Sequence, residues 1–157
     1  MESGDKMATI AEQLKLIEKH IQLKIQDAMQ KEVAETVRKT MQDHIQKDVY
    51  NTYIPYSKGG VTPHYKRTYK LIADNTIRSK MINNNTLQVT NEREEDGIDI
   101  VKVIEYGKGY TWGYTRDLDE EIGARPFIKN TREDLRINKQ HVRALKLGLI
   151  RNGVKVV

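Results

Sequence analysis

The stretch that decides the fold is Ile10–Val49, IAEQLKLIEKHIQLKIQDAMQKEVAETVRKTMQDHIQKDV. Apolar residues fall at Ile10, Leu14, Ile17, Ile21, Ile25, Met29, Val33, Val37, Met41, Ile45 and Val49. They stand three or four positions apart, as one helical face requires. Neither Pro nor Gly interrupts the run, and Lys, Glu and Gln, all good helix formers, fill the other positions. Thr9 is placed to cap the start, with Glu12 three residues on as its capping-box partner. The pattern predicts a helix over residues 8–49. From Ile17 onward the steps are all four, and each overshoots a 3.6-residue turn by ~40°. The stripe therefore winds most of the way round, and one straight helix cannot hold it on one flat core. Either the helix bends or breaks, or its halves bury against different things. The preferred solution is that one half packs on its own domain and the other on a neighbour. The alternative is two ordinary helices joined near Gln30–Glu35.

Downstream, residues 50–66 read as a loop, dense in turn residues (Asn51, Pro55, Ser57, Gly59, Gly60, Pro63) and punctuated by Tyr50, Tyr53, Tyr56 and Tyr65. A loop of that length in a small domain usually carries a function. Arg67–Ile72 fits one short helical turn. Thr76–Ile82 reads as a strand, Asn83-Asn84-Asn85 as a turn, and Leu87 and Val89 as the second strand of a hairpin. Ile98, Ile100, Val101, Val103 and Ile104 read as a third strand. Residues 107–124 form a second loop with Tyr110, the sole Trp (Trp112) and an acidic stretch, Asp117 to Glu121. Pro126 suits the first turn of a last helix, 126–150, with Ile128, Leu135, Val142, Leu145 and Leu149 on one face. Asn152-Gly153 is its stop. The expected fold class is α+β: a long N-terminal helix, a three- to four-stranded antiparallel sheet over 67–106, and a C-terminal amphipathic helix, in one domain of 157 residues.

Composition narrows the chemistry. There are no cysteines, which removes disulfides, thiolate metal sites and cysteine nucleophiles. No run approaches the ~18 apolar residues of a membrane span, and no apolar signal core follows Met1–Lys6; the chain is expected to be made in a cytoplasm. The net charge is +5, but its distribution is more telling. Segments 1–50, 51–90, 91–121 and 122–157 carry −1, +5, −6 and +7. Alternating blocks of this kind allow like subunits to dock head to tail around a ring; ordinary solvated faces are the plainer reading.

Catalytic and cofactor signatures are not found. The four histidines, His20, His44, His64 and His141, suggest no metal site. Gly107-Lys108-Gly109 lacks the Ser/Thr and helix of a phosphate loop, and Asp117–Glu121 lacks the twelve-residue calcium pattern. Arg132, Arg136, Lys139, Arg143 and Lys146 make the last helix basic. Phosphate contacts and the polar side of an amphipathic helix both explain them, the second more simply. No enzyme activity, cofactor or metal is expected.

Three motifs in order, Tyr65-Lys66-Arg67-Thr68-Tyr69-Lys70-Leu71, Val103-Ile104-Glu105-Tyr106-Gly107 and Arg125-Pro126-Phe127-Ile128, resemble the tail-completion, or head–tail joining, proteins of long-tailed bacteriophages. The resemblance covers about residues 8–150. Arg-Pro-Phe ahead of a helix is its most specific part. The chain departs from the pattern in its long first helix and in Tyr69, where many members have Gly. The resemblance implies a virion protein of the neck that forms a homo-oligomeric ring between neighbouring neck, tail-terminator or tail-tube proteins. It implies no membrane partner, and DNA only as the genome passing through the lumen. Its expected place is the head–tail interface, with the host cytoplasm during assembly. The residues expected at partner interfaces are Tyr53, Tyr56, Tyr65, Arg67, Tyr110, Trp112, Asp117, Glu120, Arg136 and Arg143, with the acidic loop end facing Arg136 and Arg143 of the next subunit. The alternative is a small basic nucleic-acid-binding protein.

Overall fold

In the computed structural model, residues 9–52, 68–109 and 123–156 are described. The N-terminal stripe folds as one continuous helical rod with two wide turns in it. Helix α1 spans Ile10–Ala28, a π turn follows at Met29–Val33, α2 spans Ala34–His44, and a second π turn occupies Ile45–Tyr50. The expected capping box is present: the Thr9 N–H donates to Glu12 Oε2 at 2.7 Å, and the Glu12 N–H to Thr9 Oγ1 at 3.3 Å. The π turns answer the four-residue spacing. Their i→i+5 bonding takes more residues per turn than an α-helix, so each rotates the stripe back against the overshoot. Met41, Ile45 and Val49 consequently stay on one face, all buried. The junction near Gln30–Glu35 is thus a wide turn, and the backbone is helical on both sides of it.

Strands β1 (Ile77–Asn83) and β2 (Thr86–Asn91) form an antiparallel hairpin, Ile77 opposite Asn91 and Met81 opposite Leu87. Its tip turns at the asparagines, where the Asn85 N–H donates to Asn83 Oδ1 at 2.9 Å. Strands β3 (Glu94–Glu95) and β4 (Ile98–Asp99) form a second small pair. Asp96 and Gly97, at φ 51° and 76°, make its turn, a conformation that favours Asp-Gly. The mixed helix-and-sheet class is as expected, with the strands paired two by two.

The strand expected over 98–104 is corrected. Beyond Asp99 the chain is helix α3, Ile100–Tyr106. The run Ile100, Val101, Val103, Ile104 satisfies helical spacing as well as a buried strand, and its ends decide the matter. Asp99 accepts the Lys102 N–H at 3.0 Å, and Gly107, at φ 66°, closes the helix in the left-handed region. The single helix expected over 126–150 is also corrected. It is α4 (Phe127–Asn138) and α5 (Gln140–Arg151), broken at Lys139, whose φ is 52°. Phe127, Thr131, Ala144 and Gly148 form the buried side, and Val142 lies exposed. The Asn152-Gly153 stop is present, with Val154 N–H bonded back to Leu149 at 2.9 Å.

Helix α5 runs antiparallel to the rod. Thr40 Oγ1 meets Gln140 Oε1 at 3.5 Å, and Asn152 Nδ2 donates to the Lys24 carbonyl at 3.1 Å. Gly148 sits directly on Ala28: a Cβ there would stand 2.6 Å from the Ala28 Cβ. Arg151 bridges to Asp27 at 2.7 Å and Glu32 at 2.8 Å. The main core gathers Met41, Ile45, Val49, Tyr50, Leu71, Ile77, Ile100, Val101, Val103, Ile104 and Phe127. His44 Nδ1 lies 2.8 Å from Asp48, four residues on, and Nε2 lies 3.5 Å from Asp134 on α4. Asn130 Nδ2 also donates to Asp48 at 2.9 Å. This polar knot pins α4 to the rod.

Candidate assembly interface

The second and third motifs meet. Glu105, near the end of α3, accepts the Ile128 N–H at 2.9 Å and the Lys129 N–H at 3.0 Å. Its carboxylate therefore caps the helix that Arg125-Pro126-Phe127 opens, satisfying two orphan donors and facing the positive end of the helix. The Arg125 N–H donates to the Ile104 carbonyl at 2.9 Å, and its guanidinium reaches the Val49 carbonyl at 3.4 Å. A Cβ at Gly107 would overlap the backbone of Gly123 and Ala124, so glycine is required for that close approach as well as for its positive φ. Phe127 is fully buried below this clasp. The motif residues hold the ends of three helices together.

The first motif is described only from Thr68. Tyr69 has φ 53°, a region that favours glycine. Its ring stands edge-on to Tyr50 at 5.0 Å. Leu71 is buried in the core.

The conspicuous free surface is the outer part of α1. The hairpin tip holds the rod at Gln22 and Gln26, whose amides donate to Asn84 and Asn85 at 2.7–2.9 Å. N-terminal to that point every residue from Ile10 to Ile21 is exposed. Twelve helical residues project ~18 Å. Ile10, Leu14, Ile17 and Ile21 are 78%, 56%, 55% and 43% exposed. Residues 10 and 28 are about five turns apart, so this stripe lies in line with Ala28, on the side of the rod that carries α5. Leu16 and Leu23 add a second exposed apolar pair on another side. The rod thus packs on its own body from Gln22 onward and leaves its first twelve helical residues exposed. A patch of this kind on a folded chain marks an interaction site.

A second exposed face lies on α5, opposite the side that packs on the rod. Val142 and Ile150 are exposed there and Leu147 on its flank, interleaved with Arg143 and Lys146. Arg143, an expected partner residue, is exposed on this face and makes no ion pair among the described residues. Arg136, on α4, is exposed but bonded to Glu133 at 3.1 Å. The structure does not group these two with one another, because the break at Lys139 turns the two helices apart. Tyr53, Tyr56, Tyr65, Arg67, Tyr110, Trp112, Asp117 and Glu120 lie outside the described residues. The α1 arm and the apolar part of the α5 face were absent from the expected partner residues. Their signal was in the sequence: the winding stripe, and Leu147 and Ile150 off the predicted apolar face. Among the described residues no helix is long and apolar enough to cross a membrane, and no cluster of His, Asp or Glu is arranged to hold a metal ion.

The described residues thus combine a mixed helix-and-sheet fold, a clasp built from the motif residues and an exposed apolar stretch on α1. Known proteins give this a lineage. The YomN family model matches residues 13–151, and the chain belongs to that family. The YomN protein derived from the SPbeta prophage of Bacillus subtilis (strain 168) is 39% identical over 124 residues, covering 78% of this chain and 80% of the relative. This relative supports a phage origin. No solved structure matches.

Proposed function

We propose that this chain is a structural assembly protein of a long-tailed phage, a tail-completion or neck-ring subunit that joins head to tail. It acts by contact with like subunits and adjoining rings, not by catalysis, at the head–tail interface of the virion. The observation that carries the reading is the α1 arm, a helix with four exposed Ile and Leu residues in line and no cover among the described residues. Exposed apolar area of this order is costly unless an assembly covers it. The motif order supports the placement in the neck, and the prophage relative supports the phage origin alone. The test is deletion of the gene from the phage followed by electron microscopy of lysates. The expected result is filled heads and complete tails left unjoined, rescued by the gene in trans. Joined, infectious particles in the deletion overturn the placement.

The nucleic-acid reading draws on the basic outer faces of α4 and α5. It predicts duplex DNA binding that weakens steeply with salt. The interleaving of Leu147 and Ile150 with Arg143 and Lys146 suits a protein surface better than a phosphate backbone.

A further inference from the structure

We infer that the α1 arm of one copy docks on the outer face of α5 of the next copy, so that the subunits join arm to back. The inference rests on the ring reading above and specifies its contact.

Each side of the contact is exposed in the single chain and complements the other. The arm offers Ile10, Leu14, Ile17 and Ile21, alternating steps of four and three, the spacing that seats a helix in the groove of another. Helix α5 offers Leu147 and Ile150, both more than half exposed. Glu18 flanks the arm stripe, while Arg143 and Lys146 flank the α5 patch; none of the three has an ion pair among the described residues. Glu18 on the arm is thus opposite in sign to Arg143 and Lys146 on the α5 face.

The geometry already has a precedent within the chain. The arm stripe continues the line of Ala28, against which Gly148 of the same chain's α5 packs. That helix ends level with Lys24, since Asn152 bonds to its carbonyl. Beyond this level the α5-accepting side of the rod is open among the described residues, and the neighbour's α5 lies there by its outer face.

Pairing of two arms with each other is the weaker arrangement. Four apolar positions make two heptads at most, short of the three or four that sustain a coiled coil. In an arm-to-back arrangement each copy uses its arm once and its α5 face once, which engages two patches per subunit. Such a contact is heterologous and closes into a ring when its rotation allows.

The test uses the full chain, which has no cysteine of its own. Ile17→Cys and Leu147→Cys are made singly and together, and oxidised at the protein concentration where the oligomer is measured by light scattering. Within one chain the two sites cannot bridge. Gly148 is level with Ala28, eleven residues or ~16 Å along the rod from Ile17, beyond disulfide reach. The double variant is expected to give a ladder of linked copies on a non-reducing gel, and neither single variant a linked dimer. Glu18→Lys is expected to raise the concentration for half-assembly about tenfold, and Lys146→Glu in that background to restore it within about threefold. A linked dimer from Ile17→Cys alone means that arms pair with arms and overturns the inference while leaving the ring. An oligomer with no ladder does the same. A monomer at every concentration overturns both readings.

Discussion

Glu105 and Phe127 carry the junction on which the middle of the fold depends. The Glu105 carboxylate holds two backbone donors of α4, so Glu105→Ala leaves both without their protein acceptor. The expected cost is about 1–2 kcal/mol, read as a lower denaturant midpoint. Phe127 is fully buried, and Phe127→Ala is expected to cost about 3–5 kcal/mol; an unchanged midpoint contradicts the packing described. Tyr69→Gly separates two opposed effects. It relieves a left-handed strain of about 1–2 kcal/mol and removes an edge-on ring contact of about 0.5–1.5 kcal/mol. The variant is expected to stay within about 1 kcal/mol of the wild type, and a loss above 2 kcal/mol in the same unfolding titration counts against this balance. At this scale much was legible in the sequence. The Thr9–Glu12 box and the buried Phe127 follow from residue type and position. The cap at Asp99 was missed because hydrophobicity was weighed ahead of end signals, and the Glu105 contact joins residues 23 positions apart, which local pattern cannot show.

The rod shows what spacing does and does not tell. Four-residue steps announced that a straight helix would fail, and they pointed to two halves with different surroundings. They did not announce the π turns, because residue identity alone does not distinguish a wide turn from a bend. The last helix was read as continuous because Lys139 carries no breaker signal; its φ of 52° is seen only in the structure. At the seam of α1 and α5, Asp27 takes bonds from Lys31 at 2.6 Å and Arg151 at 2.7 Å. The Lys31 bond, followed by that from Asn152, holds its carboxyl below the ordinary carboxylate range. A depressed folded value means that the stabilisation is present above about pH 4, and is lost as pH falls through the lower folded value. Unfolding midpoints measured from pH 6 to 2 are expected to show a gap between wild type and Asp27→Asn that narrows as acid is added. A gap independent of pH places the effect of the substitution elsewhere.

For the whole molecule, the α+β class and the order of its elements were readable, and the assembly surface was half readable. The basic residues Arg136 and Arg143 were chosen for their charge, while the larger apolar surface lay on an arm whose exposure emerges only once α5 is seen to stop level with Lys24. Helix periodicity shows that a face is apolar; only the packed chain shows which part of that face its own body covers. If the exposed arm is an assembly surface, native mass spectrometry will show it. The wild type is to be compared with a variant carrying Leu14→Gln, Ile17→Gln and Ile21→Gln, none of which faces the core. The account predicts one closed oligomer for the wild type and a monomer for the variant, with the same unfolding midpoint measured on monomer at high dilution. A wild type that stays monomeric, or a variant that assembles unchanged, contradicts it.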